Sequence, residues 1–224
     1  MRACEFITDP LDEDINRRNL LRGALGGAAL AATGASAMTS PATSPIAKPV
    51  VHNQAEQFLL GWARKYIQDP NELAAFMAQC AHESDNFNTL EEYGTPERFA
   101  KKYDIQHNPQ KAKTLGNTLP GDGVKYHGRG YLQLTGKYNY QKAGEAISQM
   151  IGKPVDFVKF PEIVAQPTGA ALTSIWYWKN RVANKVKDFT NTRQVTQKIN
   201  TGLKGEKNRE QQMVNWKNEL KASS

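Results

Sequence analysis

Apolar residues recur at three- and four-residue intervals through most of the chain from residue 53 onward. Phe58, Leu59, Trp62, Tyr66 and Ile67 keep that spacing and predict an amphipathic helix over residues 53–68. Asp69-Pro70 then supplies an N-cap and a first-turn proline, opening a second helix that runs to about Ser84. Its apolar side carries Leu73, Phe76, Met77 and Cys80. Thr95-Pro96-Glu97 repeats the start signal for a short helix ending near Tyr103. Later periodicity predicts helices over 138–151, 168–180, 191–199 and 206–220, the second of these a core or cleft-wall helix through Ile175, Trp176 and Trp178. Residues 108–130 keep no period and read as a long functional loop. Bulky and polar side chains alternate in Tyr131-Leu132-Gln133-Leu134-Thr135, the best strand candidate. The expectation is a mainly helical domain with a small β element.

The first fifty residues break this pattern. Arg17 and Arg18 precede Leu20-Leu21-Arg22, and an uncharged Gly/Ala-rich stretch follows from Gly23 to Ala37. It closes on Ala35-Ser36-Ala37, the small-x-small form of a signal-peptidase site. Positive charge, a weakly apolar middle and a small-residue end make residues 1–37 an export signal of twin-arginine kind. A releasable membrane anchor, as in some phage lysins, and a plain tail are the alternatives. Residues 38–50, rich in Ser, Thr and Pro, read as a linker, which leaves 51–224 as the folded domain.

Charge narrows the partners. The 224-residue chain carries 29 basic and 22 acidic residues, a formal +7 at pH 7. Residues 38–224 hold 25 basic and 17 acidic residues, a net +8 that suits an anionic partner. The basic residues are spread through the body rather than clustered with aromatics, which argues against nucleic acid. No run of 18 strongly apolar residues occurs, so membrane contact is expected only through the N-terminal segment. Of the two cysteines, Cys4 lies in the leader and Cys80 on an apolar helix face, where a small core thiol is expected.

The next position on the apolar side of the second helix is Glu83 or Ser84. A carboxylate there is costly unless something requires it. Apolar surroundings and the helix C-terminus would both favour its protonated form, as a general acid needs. His82-Glu83 lacks the second histidine of a zinc-protease helix, because position 86 is Asn86. No other histidine spacing offers a metal site. Glu92, with Glu91 beside it, follows nine residues later, across a turn through Asp85-Asn86-Phe87-Asn88. Inverting glycosidases place two carboxyls about 6.5–9.5 Å apart around a water. The spacing allows that separation, and equally an exposed acidic turn. Glycines on both sides of Arg129 suggest tight turns that set a guanidinium inside to hold the cleft carboxylates, with Gln133 and Thr135 on one strand face.

Ala81-His82-Glu83-Ser84, Glu92 and the block from Lys125-Tyr126-His127-Gly128-Arg129-Gly130 through Gln133-Leu134-Thr135 to Tyr138-Asn139-Tyr140 resemble the family 19 glycoside hydrolases. These include plant-type chitinases and many phage endolysins. The resemblance continues through Pro161-Glu162, Trp176-Tyr177-Trp178, Asn200-Thr201-Gly202 and Asn208-Arg209, covering roughly residues 55–216. It implies an α+β, lysozyme-like, two-lobed helical domain around a catalytic cleft. It implies Glu83 as general acid, Glu92 as base and Thr135 as the hydroxyl that holds the water, with no metal and no organic cofactor; Glu91, beside Glu92, is the fallback for the base. His82, Gln133, Tyr138, Asn139 and Asn200 would bind sugar, and Arg129 and Arg209 would be structural or charge-tuning. Two departures stand out: Asp85-Asn86 replaces a frequent Gly-Gly after the acid, and Thr201 replaces a Gly after Asn200.

The expected activity is hydrolysis of β-1,4 bonds between N-acetylated sugars. The net charge favours peptidoglycan, with chitin second and a non-catalytic wall-binding protein as the alternative of another class. The protein is expected to be an exported monomer in the periplasm, wall or medium, engaging the export machinery through its leader.

Overall fold

The computed structural model describes residues 54–222. The expected leader and linker, and the start of the domain near residue 50, lie outside the described residues. Among the described residues nine α-helices follow in order: α1 Gln54–Tyr66, α2 Pro70–Glu83, α3 Pro96–Tyr103, α4 Pro109–Leu115, α5 Asp122–Lys125, α6 Lys137–Ile151, α7 Pro167–Tyr177, α8 Thr192–Ile199 and α9 Glu206–Ala222. A 3₁₀ turn, Pro161–Ala165, precedes α7, and a π turn over Trp178–Val182 extends it.

Local chemistry explains where the helices start. Asp69 Oδ1 accepts from the backbone N–H of Asn71 and Glu72 at 2.7 and 3.1 Å, and Pro70 needs no partner for its nitrogen. Thr95-Pro96 opens α3 in the same way. Asn108-Pro109 opens α4, with Asn108 Oδ1 accepting from Lys111 N–H at 3.2 Å. The expected loop over 108–130 is thus corrected: it carries α4 and α5, too short to show a period.

Buried side chains fall into two clusters that share α7. The larger gathers Leu59, Phe76, Met77, Ile175, Trp178, Met213 and Trp216. The smaller gathers Tyr126, Leu134, Tyr140, Ile147, Phe157, Ile163 and Leu172. Every α7 residue from Thr168 to Ile175 is buried, as expected of a helix apolar around its whole circumference. Cys80 belongs to the larger cluster, and burial, with the nearby charge of Glu83 second, pushes its thiol well up. It is a core thiol, as its helix face predicted.

The strand expected over 131–135 is not there. Arg129 and Leu134 exchange backbone hydrogen bonds of 3.1 and 2.7 Å around a tight turn, and Arg129 also bridges to Glu91. Gly130 and Gln133 close that turn with φ of 78° and 51°. Tyr131, Leu132 and Leu134 are all buried, so the alternation read as a pleat is a turn folded into the core. Among the described residues the β element is reduced to these bridges, and the fold is mainly helical.

Candidate active site

An open cleft of about 430 Å³ is lined by His82, Glu83, Asp85, Thr89, Glu91, Glu92, Tyr93 and Gln133. Glu83 ends α2, and its Oε1 accepts from Arg209 Nη2 at 2.6 Å. Arg209 is 1% exposed and also donates to Gln79 Oε1 at 2.5 Å and to the Lys204 carbonyl at 3.1 Å. Gln79 in turn donates to Thr196 Oγ1 at 3.1 Å. A buried polar chain across α2, α8 and α9 therefore fixes the guanidinium that holds Glu83. The acid was expected to meet mostly apolar surroundings; it meets a cation instead.

Glu92 is held differently. Its Oε1 accepts from Lys102 Nζ at 2.6 Å, and Tyr103 Oη donates toward both oxygens at 3.1 and 2.9 Å. The Gly128 N–H donates to Oε2 at 3.3 Å. Partial burial raises the Glu92 pKa, but these hydrogen bonds and the Lys102 charge outweigh it, so the carboxyl is held below its usual range. Lys102 and Tyr103 end α3, whose exit is tied down by Asp104 accepting from Gly121 and Gly123 N–H at 2.6 and 3.3 Å. A Cβ at Gly128 would lie 2.7 Å from Gln133 Oε1 and 3.2 Å from Glu92 Oε2, so a larger residue there would force the Gln133 side chain to move. Gln133 Oε1 is buried and accepts no hydrogen bond from the described protein.

Arg129 holds one of the cleft carboxylates, Glu91. Its Nε donates to Glu91 Oε1 at 2.7 Å, and its Nη1 donates to the Lys125 carbonyl and to Tyr140 Oη at 2.9 and 3.0 Å. Glu91 is thereby committed to the Arg129 turn, with His127 Nε2 3.5 Å away. The guanidinium braces the loop behind Glu92 and hydrogen-bonds to neither Glu83 nor Glu92.

Four of the expected site residues, His82, Glu83, Glu92 and Gln133, line the cleft. His82 Nδ1 donates to Asn208 Oδ1 at 2.8 Å, and its ring lies against Gly205, whose φ is 73°. Thr135, Asn139 and Asn200 do not line it. Thr135 Oγ1 donates to the Gln133 carbonyl at 2.8 Å rather than sharing a strand face with Gln133. Asn139 Nδ2 donates to the Thr135 carbonyl at 2.7 Å, which ties the start of α6 to the same turn. Asn200 ends α8 and accepts from Gly202 N–H at 3.0 Å. Tyr138, 51% exposed, lines a separate groove. Sequence reasoning missed Lys102 and Tyr103. They lie ten and eleven residues beyond Glu92, and only the return of α3 brings them to it.

Residues 59–210 match the glycoside hydrolase 19 family model described as chitinase class I. A glycosyl hydrolase family 19 domain-containing protein of Haemophilus influenzae is 34% identical over 154 residues, covering 59% of this chain and 72% of that protein. An endochitinase of Pisum sativum is 35% identical over 116 residues, 51% of this chain. The match spans 34% of the pea enzyme's length, about a third. Chitinase C from Streptomyces griseus superposes with a TM-score of 0.53 at 20% identity, covering 72% of this chain and 80% of that one. A bacterial family 19 chitinase does so at 0.51 and 20%, covering 73% and 83%. At such identities these two superpositions speak to the fold. The family match over most of the described chain, with the Haemophilus relative, goes further: the chain belongs to glycoside hydrolase family 19 and is a chitinase-family glycosidase.

Proposed function

We propose that this glycosidase cuts β-1,4 bonds between the N-acetylated sugars of peptidoglycan by single displacement with inversion. Glu83 is the general acid and Glu92 the base. The observation that supports this most is that the two carboxylates line one open cleft yet are held in different ways. Glu92, kept ionised, takes a proton from water as that water attacks the anomeric carbon. Glu83 gives its proton to the departing glycosidic oxygen. Arg209 occupies Oε1 of Glu83, which leaves Oε2 to carry that proton, and the guanidinium then faces the carboxylate left behind. In the resting arrangement Lys102 sits on Oε1 of Glu92, so the attacking water must share or displace that contact. Thr135, through its tie to the Gln133 carbonyl, belongs to the turn that would present the water.

The net +8 of residues 38–224 supports a polyanionic wall as substrate. The reading carries with it an exported enzyme acting beyond the cell membrane. Chitin is the second reading, favoured by the naming of the pea relative as an endochitinase. Digestion of purified peptidoglycan and of colloidal chitin, with mass analysis of the new ends and proton NMR of the first anomer formed, decides between them. Muropeptides released with an α-anomeric end are expected. Turnover of chitin alone overturns the choice of polymer, and a β anomer overturns the inverting pair.

A further inference from the structure

Away from the acidic cleft, α6 and the end of α7 enclose a second groove of about 380 Å³. One stripe of α6, Tyr138, Lys142, Glu145 and Gln149, forms one side, and Trp176 and Arg181 form the other. Tyr138 is 51% exposed, and Lys142 Nζ lies 5.9 Å from its ring centre. Trp176 is only partly buried. Aromatic faces beside cations suit a sugar ring that carries a carboxylate, because the ring stacks while the cations meet the charge.

Two links tie this groove to the turn behind the cleft. Arg181 Nη2 donates to Asn139 Oδ1 at 3.2 Å, and Asn139 Nδ2 donates to the Thr135 carbonyl at 2.7 Å. Glu145 Oε1 accepts from Gln141 Nε2 at 2.8 Å, and its Oε2 pairs with Lys142 Nζ at 2.8 Å. That pair is exposed at 44% and 48% of its side chains, so an incoming carboxylate competes with Glu145 at little cost. Among the described residues Arg181 pairs with no carboxylate, and it is the stronger of the two readers.

We propose that this groove is an accessory binding site for the carboxylate-bearing substituents of the wall glycan, read by Arg181 and Lys142. It deepens the peptidoglycan reading and rests on it. Chitin has no carboxylate to offer, so the groove discriminates between the two polymers.

The test is co-sedimentation of the Glu83→Gln protein with three insoluble probes. These are native peptidoglycan, peptidoglycan whose carboxylates are capped as methylamides, and colloidal chitin. Adding Lys142→Ala and Arg181→Gln is expected to weaken binding to the native wall about fivefold, the size of two exposed charge contacts. Loss on the capped wall and on chitin should stay within about twofold for the same reason. The glutamine at 181 can still donate to Asn139, and thermal melting checks that the fold is kept. Equal binding of both proteins to the native wall overturns the proposal, and so does an equal loss on all three probes. If the parent binds native wall in this charge-dependent way but its active form cuts only chitin, the groove stands and the choice of substrate falls.

Discussion

Glu83 closes a helix packed into the main core, while Glu92 sits in a loop gripped from the side by α3. Behind Glu83 stands a buried guanidinium, satisfied by Gln79 and the Lys204 carbonyl. Beside Glu92 stands a lysine whose side chain is 48% exposed, with the buried ring of Tyr103 and one backbone N–H. A buried network resists rearrangement, because each member loses a partner if any one moves. An exposed lysine loses little by swinging into water. The acid is thus held by rigid structure, and the base by a contact that substrate or water can displace. In an inverting displacement the base must open a lone pair to water, so the looser grip lies on the side that needs it.

Removing the acid should produce the largest effect. Glu83→Gln keeps the shape and the acceptor facing Arg209 but has no proton to give, and turnover should fall about a thousandfold. The amide oxygen still accepts from Arg209, but the buried guanidinium loses its carboxylate, so thermal unfolding should come at a lower temperature while staying cooperative. Lysis of purified wall at the parental rate would remove Glu83 from its role.

Arg209→Met tests the rigid side of the comparison. It takes a cation from beneath Glu83 and leaves Gln79 Oε1 without its donor in a buried setting. Breaking a buried charged network from one side costs about 3–5 kcal/mol, which denaturant unfolding would resolve. Stability equal to the parent would mean that the chain through Gln79 and Thr196 does not brace Glu83.

On the looser side, Lys102→Met should change pH dependence more than stability. Losing the Lys102 hydrogen bond and charge lets the Glu92 pKa rise, so the acid limb of kcat/KM should move to higher pH. The sign for stability follows from the same shift. A carboxyl depressed in the folded state stabilises above its unfolded pKa, and the contribution fades as pH falls through the folded value. The variant should therefore be weaker than the parent near neutral pH and converge with it in acid. With Lys102 this exposed, the neutral-pH loss should stay under about 1 kcal/mol. An unmoved acid limb would show that Tyr103 and Gly128 hold Glu92 without help.

Local signals carried most of the helices into view. An N-cap followed by proline at residues 69–70 and 95–96 located α2 and α3 within a residue or two. The same signal at Asn108-Pro109 marked α4, but a seven-residue helix has too few turns to show a period beside it. The strand assignment at 131–135 failed because alternation over five residues cannot tell a pleat from a turn whose large side chains all point inward. In the site, Glu83, Glu92, His82 and Gln133 were legible through the family's motif, and they do line the cleft. Their partners were less so. Lys102 and Tyr103 reach Glu92 only through the tertiary path of α3, and Arg129 chose Glu91 over the catalytic pair.

The turn after the acid bears most directly on the comparison, since it joins the two walls. Asp85, Asn86 and Phe87 all take left-handed backbone, with φ of 51°, 55° and 64°. Asp and Asn tolerate that region better than other side-chain-bearing residues, so they keep the path that glycine would take freely. Asn86 adds a link to the rigid wall, its Oδ1 accepting from Gln212 Nε2 of α9 at 2.9 Å. Asp85 lines the cleft instead, and its carbonyl accepts from Asn88. Asp85→Gly should therefore relieve strain with no loss of that backbone contact, raising stability by up to about 1 kcal/mol. Asn86→Gly should gain less, because it gives up the bond to Gln212, and the two melting curves should separate in that order. If Asp85→Gly instead lowers stability and slows turnover, the left-handed path depends on the aspartate side chain, and the carboxylate at 85 joins the residues that set Glu92 across from Glu83.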